Sequence, residues 1–509
     1  MRTMFFSVFI TIQVLILVLA KFLHQGFYFL FFLTIPLLLL AVSETMQTTH
    51  TIIKNYPLFG RMRYWMEALR PKIYQYFVES DTDGTPVNRI LRSVVYQRAK
   101  NTIDSRPFGT QLDVYGTGYE WINHSITPLE YDEVNHESLR INVGSKHCRK
   151  PYSMSILNIS AMSYGSLSAH AIEALNCGAK MEGFAHNTGE GGISPYHMKH
   201  EGDLIWQIGT GYFGCRNENG NFSPELFKEK SNLEQVKMIE IKISQGAKPG
   251  HGGILPASKN TEEIANIRGV NPHTDVISPP KHKAFKDSKG MIDFIQQLRE
   301  LSGGKPIGIK LCVGNPEEIE ELIRTMAQTG NYPDFFSVDG GEGGTGAAPL
   351  EFTNSIGMSM KDGLAIVDNL LRQYGIREDV KVIASGKIIT GFQIIKSIAL
   401  GADACYSARA MMLALGCIQA LECNKNICPA GIATQNKELM RGLHIGDKSK
   451  RIANFHRNTV EAVAEILAAC NLQSTESLER KHIWRRLNPV DIANYETLYP
   501  YPEDSKKAS

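Results

Sequence analysis

Residues 381–410 read KVIASGKIITGFQIIKSIALGADACYSARA and alternate between two kinds of segment. Lys381–Ser385 and Ala402–Ser407 are short apolar runs typical of strands, and Gly391–Leu400 between them is typical of a helix. A strand, a crossover helix and a second strand form the unit from which parallel sheets are built. This stretch therefore predicts a parallel α/β fold.

The same alternation extends back to about residue 151. Helical stretches occur at Ser168–Met181, Ser288–Leu301 and Pro316–Thr329. Six further strands are predicted at Ser155–Ser160, Gly183–Thr188, Met238–Ser244, His273–Pro279, Pro306–Val313 and Asp334–Asp339. Eight strands, each followed by a helix or a long loop, favour a (β/α)8 TIM barrel. A doubly wound open sheet is the alternative, but no strand precedes a G-x-G-x-x-G motif with a downstream acid.

The N-terminus is almost uncharged. Residues 1–43 contain two charged side chains, Arg2 and Lys21, and two apolar runs, Met4–Ala20 and Phe27–Val42. Each run is slightly shorter than the roughly 20 residues of a typical transmembrane helix. A cleaved signal peptide is the alternative, but it needs no second run. We expect an uncleaved two-helix transmembrane hairpin.

Basic residues set the expected orientation of this hairpin. Arg61, Arg63, Arg70 and Lys72 follow the second run, so the positive-inside rule predicts both ends in the cytoplasm. The chain is then held at the cell (inner) membrane, with its catalytic domain in the cytoplasm. The net charge of +2 indicates no nucleic-acid partner.

Four regions follow from these patterns. They are the hairpin at 1–43, an N-terminal adapter region at 44–150 that packs against the main domain, the barrel at 151–443, and a C-terminal helical tail at 444–509 with a helix at Asn454–Ala469.

Three of the nine cysteines form a motif. Cys417, Cys423 and Cys428 have the spacing C-x5-C-x4-C and end in Cys-Pro. Thiolates bind soft metal centres, and Cys-Pro often closes an iron–sulfur ligand run. Three ligands favour a three-iron cluster or a four-iron cluster with an open corner. Chance clustering of core cysteines is the alternative, and nine cysteines in 509 residues are unlike a disulfide framework.

Glycine-rich loops follow the last three predicted strands. Asp339–Gly346 follows the sixth, Ser385-Gly386-Lys387 the seventh, and Tyr406–Arg409 closes the eighth. Barrels commonly bind a phosphate group at these strand ends. One glycine run is a weak signal, but three at successive strand ends predict a ligand site.

Basic residues occupy notable positions. Lys310 lies in an apolar strand, where it is either a cation beside an electron-accepting ring or part of an ion pair inside the barrel. Lys248 and His251 lie in the loop after the third predicted strand, and Arg268 lies 20 residues beyond Lys248. A lysine and an arginine at one site would suit a carboxylate, and ordinary surface charge is the alternative.

Together these segments resemble the synthase domain of glutamate synthase over roughly 151–440. The matching stretches, in order, are Ala161–Ser168, Asn187–Gly192, Gln207–Gly214, Gln245–Gly253, Ile277–Pro280, Gly343–Gly346 and the cysteine run through Gln435. The resemblance implies a (β/α)8 barrel with FMN at the carboxyl ends of its strands. It also implies a 3Fe-4S cluster on the three cysteines.

The resemblance further implies roles for individual residues. Lys310, Lys248 and Glu190 are the implied catalytic residues, and Lys248, Arg268 and Ile254 belong to the 2-oxoglutarate region. The implied FMN contacts are Met162, Ser163, Gln207, Lys310, Gly344, Thr345, Gly346, Ser385, Gly386, Ser407 and Arg409.

The sequence also departs from the family. The glutamine that follows Lys-Pro-Gly-x-Gly-Gly in glutamate synthases is Ile254 here, and the acid that follows Gly-Glu-Gly-Gly is Ile193. Apolar side chains thus replace two polar contacts of the dicarboxylate pocket. The glutaminase domain and the large β-helical domain have no counterpart, so the chain more closely resembles the short FMN-binding glutamate synthase-like proteins of prokaryotes.

We therefore expect an FMN- and iron–sulfur-dependent oxidoreductase of the class that acts on CH-NH2 donors. It would convert 2-oxoglutarate and ammonia to glutamate through an imine, with electrons entering at the cluster. The alternative is a membrane-tethered flavin oxidoreductase acting on another 2-oxo acid, a hydroxy acid or an amine, and a non-catalytic scaffold is a third possibility. The expected partners are a 2-oxo acid, an electron donor such as ferredoxin or a reductase subunit, a separate glutaminase and membrane lipid.

Overall fold

Both apolar runs at the N-terminus form helices. The computed structural model describes residues 2–503 and begins with α1 (Arg2–Phe22), a 3-10 turn (Gln25–Leu30) and α2 (Phe31–Met46). The segments Thr3–Phe22 and Gln25–Met46 are each long and apolar enough to cross a membrane. His24 begins the turn between them, since its side chain accepts a hydrogen bond from the backbone N–H of Gly26.

Two short helices complete this first part of the chain. They are α3 (Thr51–Asn55) and α4 (Gly60–Ile73), the latter continued by one π-helical turn at Tyr74–Val78. Everything up to Asn88 belongs to one compact unit, and a second compact unit begins at Arg89.

The second unit is a mixed α/β structure. Its strands are β1 (Glu120–Ile122), β2 (Arg140–Val143), β3 (Tyr152–Ser155), β4 (Leu157–Ile159), β5 (His186–Asn187), β6 (Leu204–Ile208), β7 (Val236–Lys242), β8 (Ile254–Leu255), β9 (Val276–Ile277), β10 (Ile307–Leu311), β11 (Phe335–Asp339), β12 (Lys381–Ser385), β13 (Ala404–Ser407), β14 (Ile483–Arg486) and β15 (Ile492–Asn494). Its helices are α5 (Arg89–Lys100), α6 (Ala169–Glu182), α7 (Pro195–Met198), α8 (Pro224–Ser231), α9 (Glu262–Arg268), α10 (Ser288–Leu301), α11 (Pro316–Thr329), α12 (Leu350–Ser355), α13 (Met360–Gln373), α14 (Gly391–Leu400), α15 (Arg409–Leu415), α16 (Lys437–Arg441), α17 (Ile445–Ala469) and α18 (Tyr495–Leu498).

Eight parallel strands close into a barrel in the order β4-β5-β6-β7-β10-β11-β12-β13, with β13 paired to β4. The strands are buried on both faces because side chains fill the interior and helices cover the outside. Interior residues such as Ile205, Met238, Phe335 and Ile383 are fully buried in one cluster. The predicted (β/α)8 TIM barrel is confirmed.

One of the eight predicted barrel strands is wrong. In His273–Pro279 only Val276 and Ile277 are extended, and they pair antiparallel with β8 outside the barrel. The missing barrel strand is β6, Leu204–Ile208, in which every residue is buried. His273–Pro279 has two apolar residues among polar ones and Ile277 is 71% exposed, whereas the strands of the barrel are covered on both faces. The loop that carries Lys248 consequently follows the fourth barrel strand.

The predicted helices begin and end where their capping residues indicate. Asn315 accepts a hydrogen bond from the backbone N–H of Glu317 at the start of α11, and Gly330 ends this helix at a φ of +68°. Ser168 caps α6 in the same way, and Gly183 ends that helix in the left-handed region. Helices α10, α11 and α14 have the predicted bounds.

The C-terminal region adds a long helix and a small sheet. Helix α17 begins at Ile445, earlier than the predicted Asn454, and packs against α5, α6 and α14. Strand β14 pairs antiparallel with β1 on one side and β15 on the other. Segments before and after the barrel thus join in one sheet.

Candidate active site

A cleft opens at the carboxyl ends of the later barrel strands. The parallel registers place Asp339 of β11 beside Ser385 of β12, and Ser385 beside Tyr406 of β13, so the loops after these strands start at one level. The cleft has a volume of about 500 Å³, part of which is open to solvent. Six of the predicted FMN contacts line it: Lys310, Gly344, Ser385, Gly386, Ser407 and Arg409.

A buried lysine lies on the wall of this cleft. Lys310 is 4% exposed, and its Nζ lies 3.9 Å from Oδ2 of Asp339. The same carboxylate oxygen accepts a hydrogen bond from the backbone N–H of Gly246 at 2.7 Å. Lys310 therefore forms an ion pair inside the barrel and also lines the cleft, and its position beside an electron-accepting ring stays a prediction.

Two further cations line the cleft. Arg409 donates to the backbone carbonyl of Glu342 at 2.5 Å, and burial lowers the pKa of its guanidinium. Lys387 has a φ of +52°, and burial together with Arg409 lowers the pKa of its ammonium group. In the described part of the chain neither cation forms an ion pair with a carboxylate.

Glycines keep the neighbouring loop close to these cations. A Cβ on Gly344 would lie 3.1 Å from Cδ of Arg409, and a Cβ on Gly343 would lie 2.9 Å from the carbonyl oxygen of Gly340. Lys387 and Arg409 can donate hydrogen bonds to an anion, and the glycine loop beside them allows a ligand to approach closely. This arrangement fits a phosphate group. The residues present fit the phosphate end of FMN.

The other predicted FMN contacts lie outside the cleft lining. Met162 and Ser163 follow β4, and Thr345 accepts a hydrogen bond from the Gln245 side chain at 3.3 Å. Gly346 faces the cysteine loop, where a Cβ would lie 3.8 Å from that of Cys423. The Gln207 amide points into the barrel and donates to Glu240 at 2.6 Å.

Glu240 is the centre of a polar network inside the barrel. It is fully buried and also accepts hydrogen bonds from Asn187 at 2.8 Å and Ser337 at 2.5 Å. Hydrogen bonds offset the cost of burying such a carboxyl group. Gln207, Asn187 and Ser337 come from three different strands, so the network ties β5, β6 and β11 together beneath the cleft.

A second polar site adjoins the cleft across the β7–β10 pair, where Lys242 and Lys310 lie side by side in register. Nζ of Lys242 lies 2.8 Å from Oε1 of Glu190. Lys248 and Arg268 are 3% and 4% exposed. We call Lys242, Lys248, Arg268 and Glu190 the cationic pocket.

Positive charge exceeds negative charge in the cationic pocket. Burial alone would raise the pKa of Glu190, but Lys242, Lys248 and Arg268 outweigh it and bring the pKa below its ordinary value. Burial lowers the pKa of Arg268 to about 10 and also lowers that of Lys248. Three cations against one carboxylate suit a ligand that carries negative charge.

The guanidinium of Arg268 is only partly satisfied. Its Nη2 donates to the backbone carbonyl of Tyr164 at 3.1 Å, and its Cζ lies 5.1 Å from the centre of the Phe213 ring. Within the described residues its buried Nε has no hydrogen-bond partner. Because a buried N–H group without an acceptor is costly, this atom is suited to an incoming carboxylate.

The three motif cysteines converge in one loop. Their thiols act electrostatically on one another, and burial with these neighbours raises the pKa of Cys417 to about 11. Gln419, Leu421 and Asn426 all have φ near +60°, which wraps the backbone tightly. Among residues 2–503 no three ligand side chains come close enough to hold a single metal ion.

A buried lysine holds this cysteine loop in place. Nζ of Lys259 donates to the backbone carbonyls of Ser166 at 3.1 Å, Cys423 at 2.8 Å and Ala433 at 2.9 Å. Lys259 is 3% exposed, and its charge acts on Cys423 and Cys428. It therefore joins the loop after β4 to the middle of the cysteine run and to the segment that follows it.

Comparison with known proteins agrees with this arrangement. The family described as the conserved region in glutamate synthase matches residues 115–473. The glutamate synthase large subunit-like protein YerD of Bacillus subtilis is 36% identical, over 92% of this chain and 96% of its own.

The chain belongs to the glutamate synthase family. An archaeal glutamate synthase [NADPH] of Methanocaldococcus jannaschii is 36% identical over 63% of this chain, and this chain spans 60% of its length. Among solved structures, mandelate oxidase with 3,3-difluoro-2-hydroxy-3-phenylpropionic acid is 12% identical, with a TM-score of 0.41 over 82% of this chain and 96% of that one.

Two isoleucines depart from the glutamate synthase pattern at the cationic pocket. Ile254 begins β8 and is 37% exposed, and a Cβ on the preceding Gly253 would lie 2.7 Å from Oε1 of Glu190. Ile193 follows Gly192, which packs against the backbone of Phe213. Each isoleucine therefore directly follows a glycine that lies close to Glu190 or to Phe213, the ring beside Arg268.

Sequence reasoning missed several residues of this glutamate synthase-like site. Lys242 lies in an apolar strand as Lys310 does, so the reasoning that selected Lys310 could have selected it. Glu240 carries the same signal, a charged residue within a buried strand. Lys259 has no such signal, because only the fold brings its three carbonyl partners together.

Proposed function

We propose that the protein is an FMN- and iron–sulfur-dependent oxidoreductase that reduces the imine of a 2-oxo acid, with 2-oxoglutarate and ammonia as substrates and glutamate as product. The observation that carries this proposal is the cationic pocket, which adjoins a cleft suited to FMN through the register of Lys242 with Lys310. Membership of the glutamate synthase family supports it.

In this proposal the cleft binds FMN and the cationic pocket binds the substrate. Lys387 and Arg409 would bind the phosphate of FMN, and Lys310 would lie at the flavin ring. When bound, FMN supplies the hydride that reduces the imine carbon. Positioning and electrostatics are what the protein itself contributes.

Lys248 and Arg268 would bind the substrate. Both are buried cations, and two carboxylates of a 2-oxo dicarboxylate would neutralise the positive excess of the pocket. Lys242 keeps Glu190 ionised, so this carboxylate can stabilise positive charge on an iminium nitrogen. His282 stays neutral, since burial lowers its pKa to about 4, and it adds no further charge.

Electrons would enter through a 3Fe-4S cluster held by Cys417, Cys423 and Cys428. A cluster held by these three cysteines would supply one-electron transfer between a donor and the flavin. The proposed donor is ferredoxin or a reductase subunit, and a separate glutaminase would supply ammonia. The hairpin α1–α2 would hold the protein at the inner membrane, with the barrel in the cytoplasm.

Ile254 and Ile193 favour a second candidate function. With apolar side chains at the pocket edge, the substrate would be a less polar 2-oxo acid, or a hydroxy acid or amine whose electrons pass to a membrane acceptor. The cofactors and the fold are the same in both candidates, so only the substrate separates them.

An assay of the purified full-length protein tests both candidates. Flavin and iron contents are measured first, and ammonia is then supplied with 2-oxoglutarate or 2-oxoisocaproate and a reduced low-potential donor. Glutamate formation supports the first candidate, and preferential leucine formation supports the second. No amino acid with either substrate, when flavin and iron are intact, contradicts imine reduction. Cys423→Ser is the matched variant, expected to lose iron and donor-dependent activity but keep flavin.

A further inference from the structure

Helix α4 exposes an apolar face that the proposed function does not use. Met62, Trp65, Met66, Leu69 and Ile73 are 38–66% exposed. At 3.6 residues per turn these five positions fall within about 100° of the helix circumference. The π-helical turn beyond α4 continues the apolar character with Phe77, which is 85% exposed.

Basic residues flank this apolar face on both sides. Helical spacing puts Arg61 and Lys72 along one edge and Arg63 and Arg70 along the other. Arg63 is paired with Glu67 at 2.8 Å, on the polar side of the helix. An apolar stripe between two basic edges is the arrangement of a helix that lies in a membrane surface.

The start of α4 is fixed at one end of the apolar hairpin. Glu44, near the end of α2, is 4% exposed, and its carboxylate accepts a hydrogen bond from the backbone N–H of Leu58 at 2.6 Å and pairs with Arg61. The Phe59 ring lies 6.4 Å from that of Phe5, near the start of α1. The first turn of α4 therefore lies where both spans would leave the bilayer on the same side.

We propose that α4 lies in the plane of an anionic membrane surface, with its apolar face among the acyl chains and its basic edges on the lipid phosphates. The inference rests on the proposed membrane span of α1 and α2. Lipid is favoured over a protein surface because the first turn of α4 lies at the ends of the two spans and basic residues line both edges of its apolar face.

Trp65 reports directly on this placement. The full-length protein is incorporated in nanodiscs of phosphatidylglycerol and phosphatidylcholine, with and without brominated acyl chains, and the same is done for Trp65→Phe. The difference between the two fluorescence spectra isolates Trp65. We expect bromine to quench its emission by half or more. A spectrum typical of water, or a buried spectrum that bromine does not quench, would overturn the inference in favour of solvent or a protein partner.

Two neighbouring substitutions provide a matched control. Leu69→Glu puts a charge into the apolar face and should abolish the bromine quenching of Trp65, whereas Ala68→Glu lies outside that face and should not. Replacing Arg63 and Arg70 by glutamine should remove the difference in quenching between anionic nanodiscs and nanodiscs of phosphatidylcholine alone. Equal quenching in both lipids for the native protein would contradict the anionic part of the inference.

The proposed membrane span of the hairpin and the proposed placement of helix α4 can be refuted separately. A protein that does not enter nanodiscs overturns both the proposed span and this inference. Entry without quenching of Trp65 overturns only the inference, and neither outcome bears on flavin-dependent activity.

Discussion

At the scale of single residues, buried cations define the candidate site. Lys242, Lys248, Lys310 and Arg268 are each nine-tenths or more buried, although within residues 2–503 only Lys242 and Lys310 have a carboxylate at ion-pair distance. Uncompensated buried charge is unfavourable for folding, so its presence points to binding.

Arg268→Lys should weaken substrate binding more than turnover. Lysine keeps the positive charge but lacks the planar guanidinium and its Nε donor, which has no partner among the described residues. We therefore expect KM for the 2-oxo acid to rise about tenfold or more, with a smaller change in kcat. Steady-state kinetics checks this, with Lys289→Met on the exposed surface of α10 as the control. An unchanged KM would show that Arg268 does not contact the substrate.

Lys259→Met should loosen the cysteine loop. The substitution leaves three carbonyl groups without their donor, and we expect the free energy of unfolding to fall by about 2 kcal/mol or more, together with iron content. Denaturant unfolding and iron analysis measure the two effects. Lys425→Met is the control, because Lys425 lies in the same loop but is exposed. Equal iron contents in both variants would refute the positioning role of Lys259.

The residue-scale site was only partly predictable. Lys310, Lys248 and Arg268 stand out because they adjoin glycine loops or lie in apolar runs. The direction of the Gln207 amide could not be foreseen, since its partner Glu240 lies 33 residues away on the next strand. A side chain on a barrel strand faces the interior or the helices according to register, and register is a property of the closed sheet.

At the scale of elements, Glu120 connects the small β1–β14–β15 sheet to the barrel helices. Its carboxylate pairs with Lys361 of α13 and Lys396 of α14 and accepts a hydrogen bond from Tyr495 at 2.8 Å. Burial alone would raise the pKa of Glu120, but the two lysines outweigh it and bring the pKa to about 2.

Glu120→Gln should therefore remove a pH-dependent part of the stability. The folded pKa lies below the ordinary value of 4.5, so the contribution is complete above about pH 4.5 and is lost as pH falls toward 2. We expect a loss of ~3 kcal/mol at pH 7 that shrinks on acidification. Urea unfolding at pH 7, 5 and 3 tests this, with the exposed Glu137→Gln as control. A constant difference between native and Glu120→Gln proteins would refute it.

Elements with local signals were predicted well. Helix α11 has Asn315 before it, Pro316 and two acids in its first turn and Gly330 after it, so its bounds are encoded in neighbouring residues. Strands β5 and β9 have two residues each, and only pairing shows that the first belongs to the barrel and the second does not. Strand pairing depends on residues that are distant in the sequence, so the local sequence does not predict it.

At the scale of the whole molecule, the two units differ in character. The unit up to Asn88 exposes many large apolar side chains along α1, α2 and α4, whereas the unit from Arg89 onward contains the barrel and its buried core. The two therefore have different solvents in our proposal, lipid for the first and water for the second.

A chain that begins at Arg89 should keep its cofactors and lose its membrane association. Because the barrel core lies entirely in the second unit, we expect unchanged flavin content and a melting temperature within a few degrees of that of the full chain. Sedimentation with membranes, flavin absorbance and thermal unfolding check these expectations. Truncated protein that still sediments with membranes would contradict the proposed role of the hairpin.

The three hydrogen bonds of Lys259 also bear on the order of events during biosynthesis. Ser166 leaves the ribosome long before Cys423 and Ala433, and the lysine cannot satisfy all three carbonyls until the first and last barrel strands have met. The cysteine loop thus reaches its final shape only once the barrel is closed, with Leu421 and Ile427 still 63% and 54% exposed. Iron delivery would then be a late maturation step, performed on a folded protein through an accessible loop.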